Sequence, residues 1–433
     1  MNQVPLSPET FLDASGLSGR ADARLAQASD AIDGVQPRFV VEPESPEALA
    51  AVLAWSAKER MSVVLRGSGT KLGWGRRPDA VDLVVSTRRL NRVLTHQHGD
   101  LTATIEAGAV LRGANVELAR HRQWLPLDAS FAHATIGGTL ATNDSGPLRH
   151  RHGAPRDLLI GIHLATSDGR LVKAGGNVVK NVAGYDLGKL MSGSFGSLAA
   201  IVSATFKLAP LPASSSTLVV AFHEAGAMAR AAAAIGSSQL DPAAFDLHVV
   251  ADAGLKPRAS AVRPAYRLLI QFAATQAAVD AQIAAARRLV AADDMETMSD
   301  TAEAELWQGH RQRIWAAPGT VLRFSWLPAS LPGVLALVAD VGRLGAAVEL
   351  VGRAGVGAGF VRVDGDSQVQ IVAIEHLRAR PDLVGHVVVL RADAAVKQKV
   401  DVWGPSGDLA PLLRAIKQAF DPAGLLNAGR GPI

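Results

Sequence analysis

The sequence predicts an α+β fold in more than one compact part, and three features carry that expectation. Strand-length apolar runs alternate with amphipathic stretches near the start, whereas the later runs follow one another without helices between them. Around Pro210-Leu-Pro-Ala-Ser-Ser-Ser-Thr217 the composition changes abruptly and marks a boundary. Beyond it, Ala-rich helical stretches alternate with a new set of strands.

Residues 1–35 are polar, rich in Ala, Ser and Asp and weakly patterned, so a lightly ordered arm or short helices are expected there. Phe39-Val40-Val41 reads as a strand. Ser45 and Pro46 then supply an N-cap and a first helical residue for a helix from Glu47 to about Glu59, with Leu49, Val52, Leu53 and Trp55 on one face. Ser62–Arg66 reads as a buried strand ending in glycine. Further strands are expected over Asp82–Ser86, Thr102–Glu106, Leu159–Ala165, Leu171–Ala174 and Ala199–Lys207, with a helix around Val110–His121. In the second part, helices are expected over Ala225–Ile235 and Ala277–Ala292 and strands over Arg267–Phe272 and Val321–Trp326. Val348-Glu349-Leu350 and Phe360–Val363 flank a glycine-rich connection and read as a hairpin. The chain closes with a helix to Phe420 and an irregular Gly/Pro-rich tail. The expected division is therefore 1–35, 36–212, 213–408 and 409–433.

Composition narrows the function classes. A length of 433 residues allows two or three cores. No apolar run is long enough to span a bilayer, and the first residues lack the order of a secretory signal, so a cytoplasmic protein is expected. A formal charge of +4, with scattered arginines, gives no nucleic-acid footprint. The chain has no cysteine. That excludes disulfides, thiol catalysis, cysteine-linked cofactors and thiolate-held iron–sulfur clusters, so any electron carrier must be organic. No metal-ligand pattern is found.

Three segments can carry chemistry. Arg66-Gly-Ser-Gly-Thr-Lys-Leu-Gly-Trp-Gly75 directly follows a strand. Gly67 and Gly69 permit backbone N–H groups to approach an anion, and Ser68, Thr70 and Lys71 can add donors. The spacing is neither the dinucleotide fingerprint nor a Walker loop, and a plain tight turn remains the alternative. Ala134-Thr-Ile-Gly-Gly-Thr-Leu-Ala-Thr-Asn-Asp-Ser-Gly-Pro147 combines small residues with hydroxyl and amide side chains, as a wrapper around a flat cofactor requires. A buried connector is the bland reading. Lys173 to Leu187, followed by Gly193-Ser-Phe-Gly-Ser197, crowds two lysines, two asparagines, an aspartate and a tyrosine into a glycine-rich loop.

Together these segments resemble the FAD-binding domain of the vanillyl-alcohol oxidase and p-cresol methylhydroxylase family, over roughly Val35 to Pro212. Val178-Val-Lys-Asn-Val-Ala-Gly-Tyr-Asp186 and Arg156-Asp157-Leu158 are similar to the branch holding glycolate oxidase FAD-binding subunits (the GlcE type) and D-2-hydroxyacid dehydrogenases. Asp421-Pro-Ala-Gly-Leu-Leu-Asn-Ala-Gly-Arg430 resembles the family's closing tail. The resemblance implies a two-part FAD-binding domain, an α+β cap domain and a tail returning to the flavin. It further implies that Arg66, Gly67, Ser68, Gly69, Thr70, Lys71 and Leu72 cradle the pyrophosphate. Thr135, Ile136, Gly137, Gly138, Thr139, Thr142 and Asn143 would line the cofactor. Val179, Lys180, Asn181, Gly184, Tyr185 and Asp186 would lie near the flavin and ribityl chain, Ile201 near the adenine half, and Asn427 and Arg430 near the isoalloxazine. Some relatives tether FAD to a histidine in the loop. Thr70 stands at that position here, which implies non-covalent FAD.

Relatives that oxidise 2-hydroxyacids independently resemble one another in an H-x-G-D-G-N type element plus a Glu-His pair. This chain lacks that cluster. Glu375-His376 is its nearest echo and reads as a surface pair, while His150 and His152 read as structural or phosphate-proximal. Arg323 resembles a cap-strand arginine that clamps a substrate carboxylate, with a structural ion pair as the alternative. Trp307, Trp315 and Trp326 read as core or as a partner-facing patch. The resemblance implies an FAD-binding subunit of a glycolate oxidase complex. Its partners would be a larger FAD-containing subunit and an iron–sulfur subunit, with membrane contact only through the complex. A self-sufficient dehydrogenase of a small 2-hydroxyacid such as D-lactate, or a flavin-less scaffold, are the alternatives.

Overall fold

Parallel pairing starts the chain's first unit, and an apolar helix covers it. The computed structural model describes residues 7–176, 186–251, 266–290, 292 and 294–431. Its residues group into two units: Met1–Ser145, Ala154–Leu211 and Ser406–Ile433 in the first, Gly146–Gly153 and Pro212–Pro405 in the second.

In the first unit, Phe39–Pro43 leads into the helix Pro46–Lys58, and Val63–Arg66 follows. The Ser45 side chain accepts from Ala48 N at 3.1 Å, and Pro46 fills the first turn, where no donor is needed. Leu83–Ser86 pairs in parallel with both strands, and Ala21–Leu25 adds an antiparallel edge beside Phe39–Pro43. Of the two alternatives expected for residues 1–35, the short helix is the one found. Pro8–Ala14 is a helix capped by Ser7, and Phe11 is fully buried against Phe39 and Trp55. One aromatic and Leu17 anchor this polar segment, too few apolar positions to show as a period. A second, antiparallel sheet runs in the order Val93–Gln97, Thr102–Glu106, Ala200–Lys207, Leu159–Ala165, Leu171–Gly175.

The second unit is built on an eight-stranded antiparallel sheet. Its order is Met295–Ser299, Ser214–Phe222, Tyr266–Ala274, Ala244–Ala251, Ala347–Arg353, Ala358–Asp364, Thr320–Ser325, Gly385–Arg391. The expected hairpin is the pair Ala347–Arg353 and Ala358–Asp364.

Alternation gives this sheet two different faces. Leu218 and Val220, Leu247 and Val249, Leu268 and Ile270, Leu322 and Phe324 pack into one apolar core with the helices Ala225–Gly236, Gln276–Val290, Leu331–Arg343 and Ser367–Arg378. The intervening positions carry Thr217, Asp246, His248, Gln271, Arg323, Glu349, Arg353 and Arg362. On that polar side lies the helix Asp300–Arg313. Its Glu303 accepts from Thr217 Oγ1 at 2.6 Å and Gln271 Nε2 at 3.0 Å, and Trp307 Nε1 donates to Thr217 Oγ1 at 2.8 Å. Trp307 and Trp326 are buried, which removes them from any partner-facing patch; Trp315 is half-buried against Phe360. Glu375 is exposed and His376 half-buried. Among the described residues no helix is long and apolar enough to cross a membrane.

Candidate functional site

The glycine-rich loop after Val63–Arg66 lines a cleft of about 540 Å³ in the first unit, together with Thr135, Gly138, Ala141, Thr142, Phe195, Asn427 and Arg430. An adjoining cleft of about 430 Å³ shares Leu65, Arg66, Gly67, Gly138, Ala141, Phe195 and Asn427. It continues past Thr87, Ala107, Gly137, Gly196, Ala199, Ala200 and Ile201. Through the shared residues the two clefts adjoin as one groove.

Close packing explains the small residues. A Cβ on Gly67 would stand 2.1 Å from Thr135 Oγ1, and one on Gly137 would stand 2.8 Å from Ala107 Cβ. Gly69 holds φ +78°, a left-handed backbone that side chains disfavour. Thr135 caps the helix Ile136–Thr142 by accepting from Gly138 N at 3.2 Å. The loop and the small-residue helix therefore meet backbone to side chain.

The cations of the loop are engaged by the protein itself. Arg66 Nη1 is 2.6 Å from Asp30 Oδ1, and Arg24 Nη1 is 2.7 Å from Asp30 Oδ2. The hydrogen bond from Arg24, opposed by burial and reinforced by Arg66, holds the Asp30 carboxyl well below the usual carboxylate range. Lys71 Nζ lies 3.1 Å from the fully buried carboxylate of Asp144, which also accepts from Ser130 N at 2.9 Å and Ser130 Oγ at 2.7 Å. Arg430 Nη2 donates to Leu72 O at 2.5 Å and Trp74 O at 2.7 Å. Burial pushes the Arg430 guanidinium down to about 10, which leaves it charged at neutral pH. Among the described residues no backbone carbonyl accepts from the N–H groups of Ser68, Gly69 or Thr70. What the loop offers an anion is backbone amide, not side-chain charge.

The chain terminus closes the site. Asn427 N donates to Val63 O at 2.7 Å, Val63 N donates to Leu425 O at 2.9 Å, and Asn427 Nδ2 donates to Phe195 O. Lys417 Nζ gathers Asp421 Oδ2, Leu426 O and Ser197 O at 2.6, 3.0 and 2.7 Å. Around the groove, the buried atoms Thr139 Oγ1, Asn143 Oδ1, Ser194 Oγ and Asn427 Oδ1 have no hydrogen-bond partner among the described residues. Buried polar atoms left unpaired are costly, and a polar cofactor alongside them offers the missing partners.

The predicted residues distribute as follows. Arg66 to Leu72, Thr135, Gly137, Gly138, Thr142, Ile201, Asn427 and Arg430 line the groove. Ile136 and Thr139 are buried, Asn143 ends the helix with φ +47°, and Asp186 is an exposed N-cap of Leu187–Met191. Val179, Lys180, Asn181, Gly184 and Tyr185 lie outside the described residues. Arg323 belongs to the second unit, half-buried and opposite Phe360 and Val388. Sequence reasoning missed Thr87 and Ala107, and it left Phe195, inside the candidate run Gly193–Ser197, without a role. The glycines bracketing Phe195, which itself holds φ +56°, were its only signal.

Residues 37–175 match the FAD binding domain family, and residues 405–430 match the C-terminal domain of FAD linked oxidases. The chain is 30% identical to glycolate oxidase subunit GlcD of Bacillus subtilis over 242 residues, 55% of this chain and 50% of that protein. It is 29% identical to D-2-hydroxyglutarate dehydrogenase of Xanthomonas citri pv. viticola over 91% of this chain and 89% of that one. Against glycolate oxidase subunit GlcE of Escherichia coli it is 31% identical over 41% of this chain and 51% of that protein. The match thus spans about half the length of both glycolate oxidase subunits. Among solved structures, p-cresol methylhydroxylase superposes with a TM-score of 0.74 at 13% identity over 99% of this chain and 98% of that one. Chitooligosaccharide oxidase gives 0.67 at 14% identity over 97% and 98%. The fold is the α+β type of these flavoproteins, and FAD is the cofactor of this chain.

Two outcomes follow from the loop geometry. Gly67→Ala forces a side chain against Thr135, a strain of about 1–3 kcal/mol, so FAD affinity measured by fluorescence titration is expected to fall about tenfold or more. Unchanged affinity would place the cofactor elsewhere. Because the folded Asp30 carboxyl titrates below its unfolded value, its contribution is complete above about pH 4 and lost progressively on acidification. Asp30→Asn is expected to destabilise the chain at neutral pH and to flatten the acid limb of thermal unfolding measured against pH.

Proposed function

We propose that FAD lies along the two adjoining clefts, with its pyrophosphate against the amides of Gly67 to Thr70, and that the chain is the FAD-binding subunit of a glycolate oxidase complex. The observation that carries this reading is the groove itself, where Arg66 and Lys71 are ion-paired to Asp30 and Asp144 and the N–H groups of Ser68, Gly69 and Thr70 have no backbone carbonyl partner among the described residues. In this reading Thr135, Gly137, Gly138 and Thr142 wall the cofactor, Ile201 borders its adenine half, and Asn427 and Arg430 bring the tail to the flavin end. Val179 to Asp186 complete the ribityl contacts. With Thr70 and no histidine in the loop, the cofactor is held without a covalent bond.

FAD, when bound, supplies a two-electron acceptor. The protein's part is to bind and orient a small 2-hydroxyacid, exclude water and take up the hydroxyl proton, so that glycolate becomes glyoxylate. Arg323, on the polar face of the second unit's sheet, serves as the carboxylate clamp. Electrons leave through other chains, because a sequence without cysteine cannot hold an iron–sulfur cluster by thiolates. In this reading a larger FAD-containing subunit and an iron–sulfur subunit are the partners.

A self-sufficient 2-hydroxyacid dehydrogenase is the second reading. It is favoured by the near full-length alignment with D-2-hydroxyglutarate dehydrogenase.

Acid precipitation of the purified chain is expected to leave flavin in the supernatant; yellow colour retained in the pellet would refute non-covalent binding. With a dye acceptor, the chain alone is expected to oxidise neither glycolate nor D-lactate rapidly, and co-purified partner subunits are expected to restore turnover. Rapid turnover by the chain alone would replace the first reading with the second.

A further inference from the structure

Buried side-chain atoms without partners cluster at a second place, on the polar face of the second unit's sheet. Asp246 and Arg353 stand opposite each other in the ladder between Ala244–Ala251 and Ala347–Arg353, and both are almost wholly buried, at 0% and 4% exposure. Asp246 Oδ2 is used twice, by His310 Nε2 at 2.9 Å and by Arg353 Nη2 at 3.5 Å. Asp246 Oδ1 and Arg353 Nε have no hydrogen-bond partner among the described residues. The Arg353 guanidinium lies 5.2 Å over the ring of Phe360, which screens it from water without satisfying its donors.

His150 borders the same place. Its ring meets Phe245 edge-on at 5.8 Å, and a Cβ on Gly355 would come within 2.5 Å of its Cε1. Its Nδ1 is also buried without a partner among the described residues. Burial lowers its pKa, countered by the charge of Asp246, so a neutral imidazole sits beside the ion pair at neutral pH.

An ion pair built only for stability would use its strong donors and acceptors on each other. Here Arg353 Nε and Asp246 Oδ1, on residues paired across the ladder, both lack a partner among the described residues, and a buried charged group with unused valence is expensive. A donor beside an acceptor is complementary to a small molecule with a carboxylate next to a hydroxyl: the carboxylate takes Arg353 Nε–H, and the hydroxyl donates to Asp246 Oδ1. In this arrangement Arg353 takes over the carboxylate contact proposed above for Arg323, and Arg323, opposite Phe360 on the same face, contributes positive charge for the incoming anion. We infer that Arg353 and Asp246, with His310 holding the carboxylate in place, form a recognition site for the carboxylate–hydroxyl pair of a 2-hydroxyacid. The inference rests on the proposed substrate class and names residues that the sequence did not single out.

Anaerobic calorimetric titration of the FAD-loaded full chain tests it, with glycolate and D-lactate set against acetate and propionate, which lack the hydroxyl. Wild type is expected to bind the hydroxyacids about tenfold tighter than their deoxy counterparts, as befits a hydrogen bond to a charged group. Asp246→Asn is expected to erase that preference, and Arg353→Lys to weaken all four ligands about tenfold. Either single change can leave a buried charge uncompensated, so the neutral pair Arg353→Met with Asp246→Asn provides a folded variant that is expected to bind none of them. Wild type showing no preference for the hydroxyl, or folded variants keeping wild-type affinities, would overturn the inference. Flavin absorbance in the same cell separates the two claims. Binding without bleaching would remove the oxidation chemistry and keep the site, whereas bleaching that Arg353→Lys leaves untouched in affinity would remove the site and keep the chemistry.

Discussion

The first unit depends on a loop that must stay open toward its ligand while being immobilised from behind. Ser68, Gly69 and Thr70 can offer their amides to an anion only if other contacts hold the backbone still. Three distant groups do so. Asp30 holds Arg66, Asp144 holds Lys71, and Arg430 reaches the carbonyls of Leu72 and Trp74. Each clamp is buried on the protein side, so water competes weakly for it, and each uses a charge that would otherwise have faced the groove. Arg430 arrives on a tail that is itself pinned by Asn427 to Val63 and by Lys417 to Leu426. The chain's end is therefore part of the loop's foundation.

This arrangement explains which parts of the site could be read from sequence. Gly67 and Gly137 announce themselves because a Cβ there would meet a neighbour too closely, and Gly69 because its φ of +78° disfavours side chains. Strands such as Leu159–Ala165 show in an unbroken apolar run, and the cap at Ser45 shows in the residue that follows it. The clamps do not show. Lys71 in isolation reads as a phosphate donor, and only the fold reveals that Asp144, far along the chain, has claimed it. Asp30 lies in a segment whose polar composition reads as loose, yet its carboxylate is among the most constrained in the unit. Ile136 sits inside the cofactor-like motif with its side chain as an apolar anchor in the core.

The second unit resisted reading for a related reason. Its strands alternate cleanly, which makes the fold legible, but the polar partners on one face come from residues scattered across the unit. Asp246 and Arg353 have no local signature: one looks like an interruption in an apolar strand, and the other like a flank of a glycine-rich turn. Pairing in the ladder converts them into a buried ion pair, and the helix Asp300–Arg313 delivers His310 to it. A search for clustered histidines in sequence passes over such a site, because its charged groups meet only after the sheet has formed.

The two units thus handle charge in opposite ways, and the difference bears on what each can bind. In the first, Arg66 and Lys71 are ion-paired within the protein, and the loop offers a ligand mainly backbone dipoles. That suits a large cofactor recognised along its whole length, since many weak amide contacts act together and none depends on the protonation state of a side chain. In the second, a guanidinium and a carboxylate keep one unused valence each within a dry environment, where a single directed hydrogen bond discriminates strongly between ligands that differ by one hydroxyl. A small acid has few atoms through which to be recognised, so its binding site must concentrate strong interactions on two of them. Cofactor retention and hydroxyacid selectivity should for that reason respond to different substitutions: the former to changes in shape around Gly67 and Gly137, the latter to changes in charge at Arg353 and Asp246.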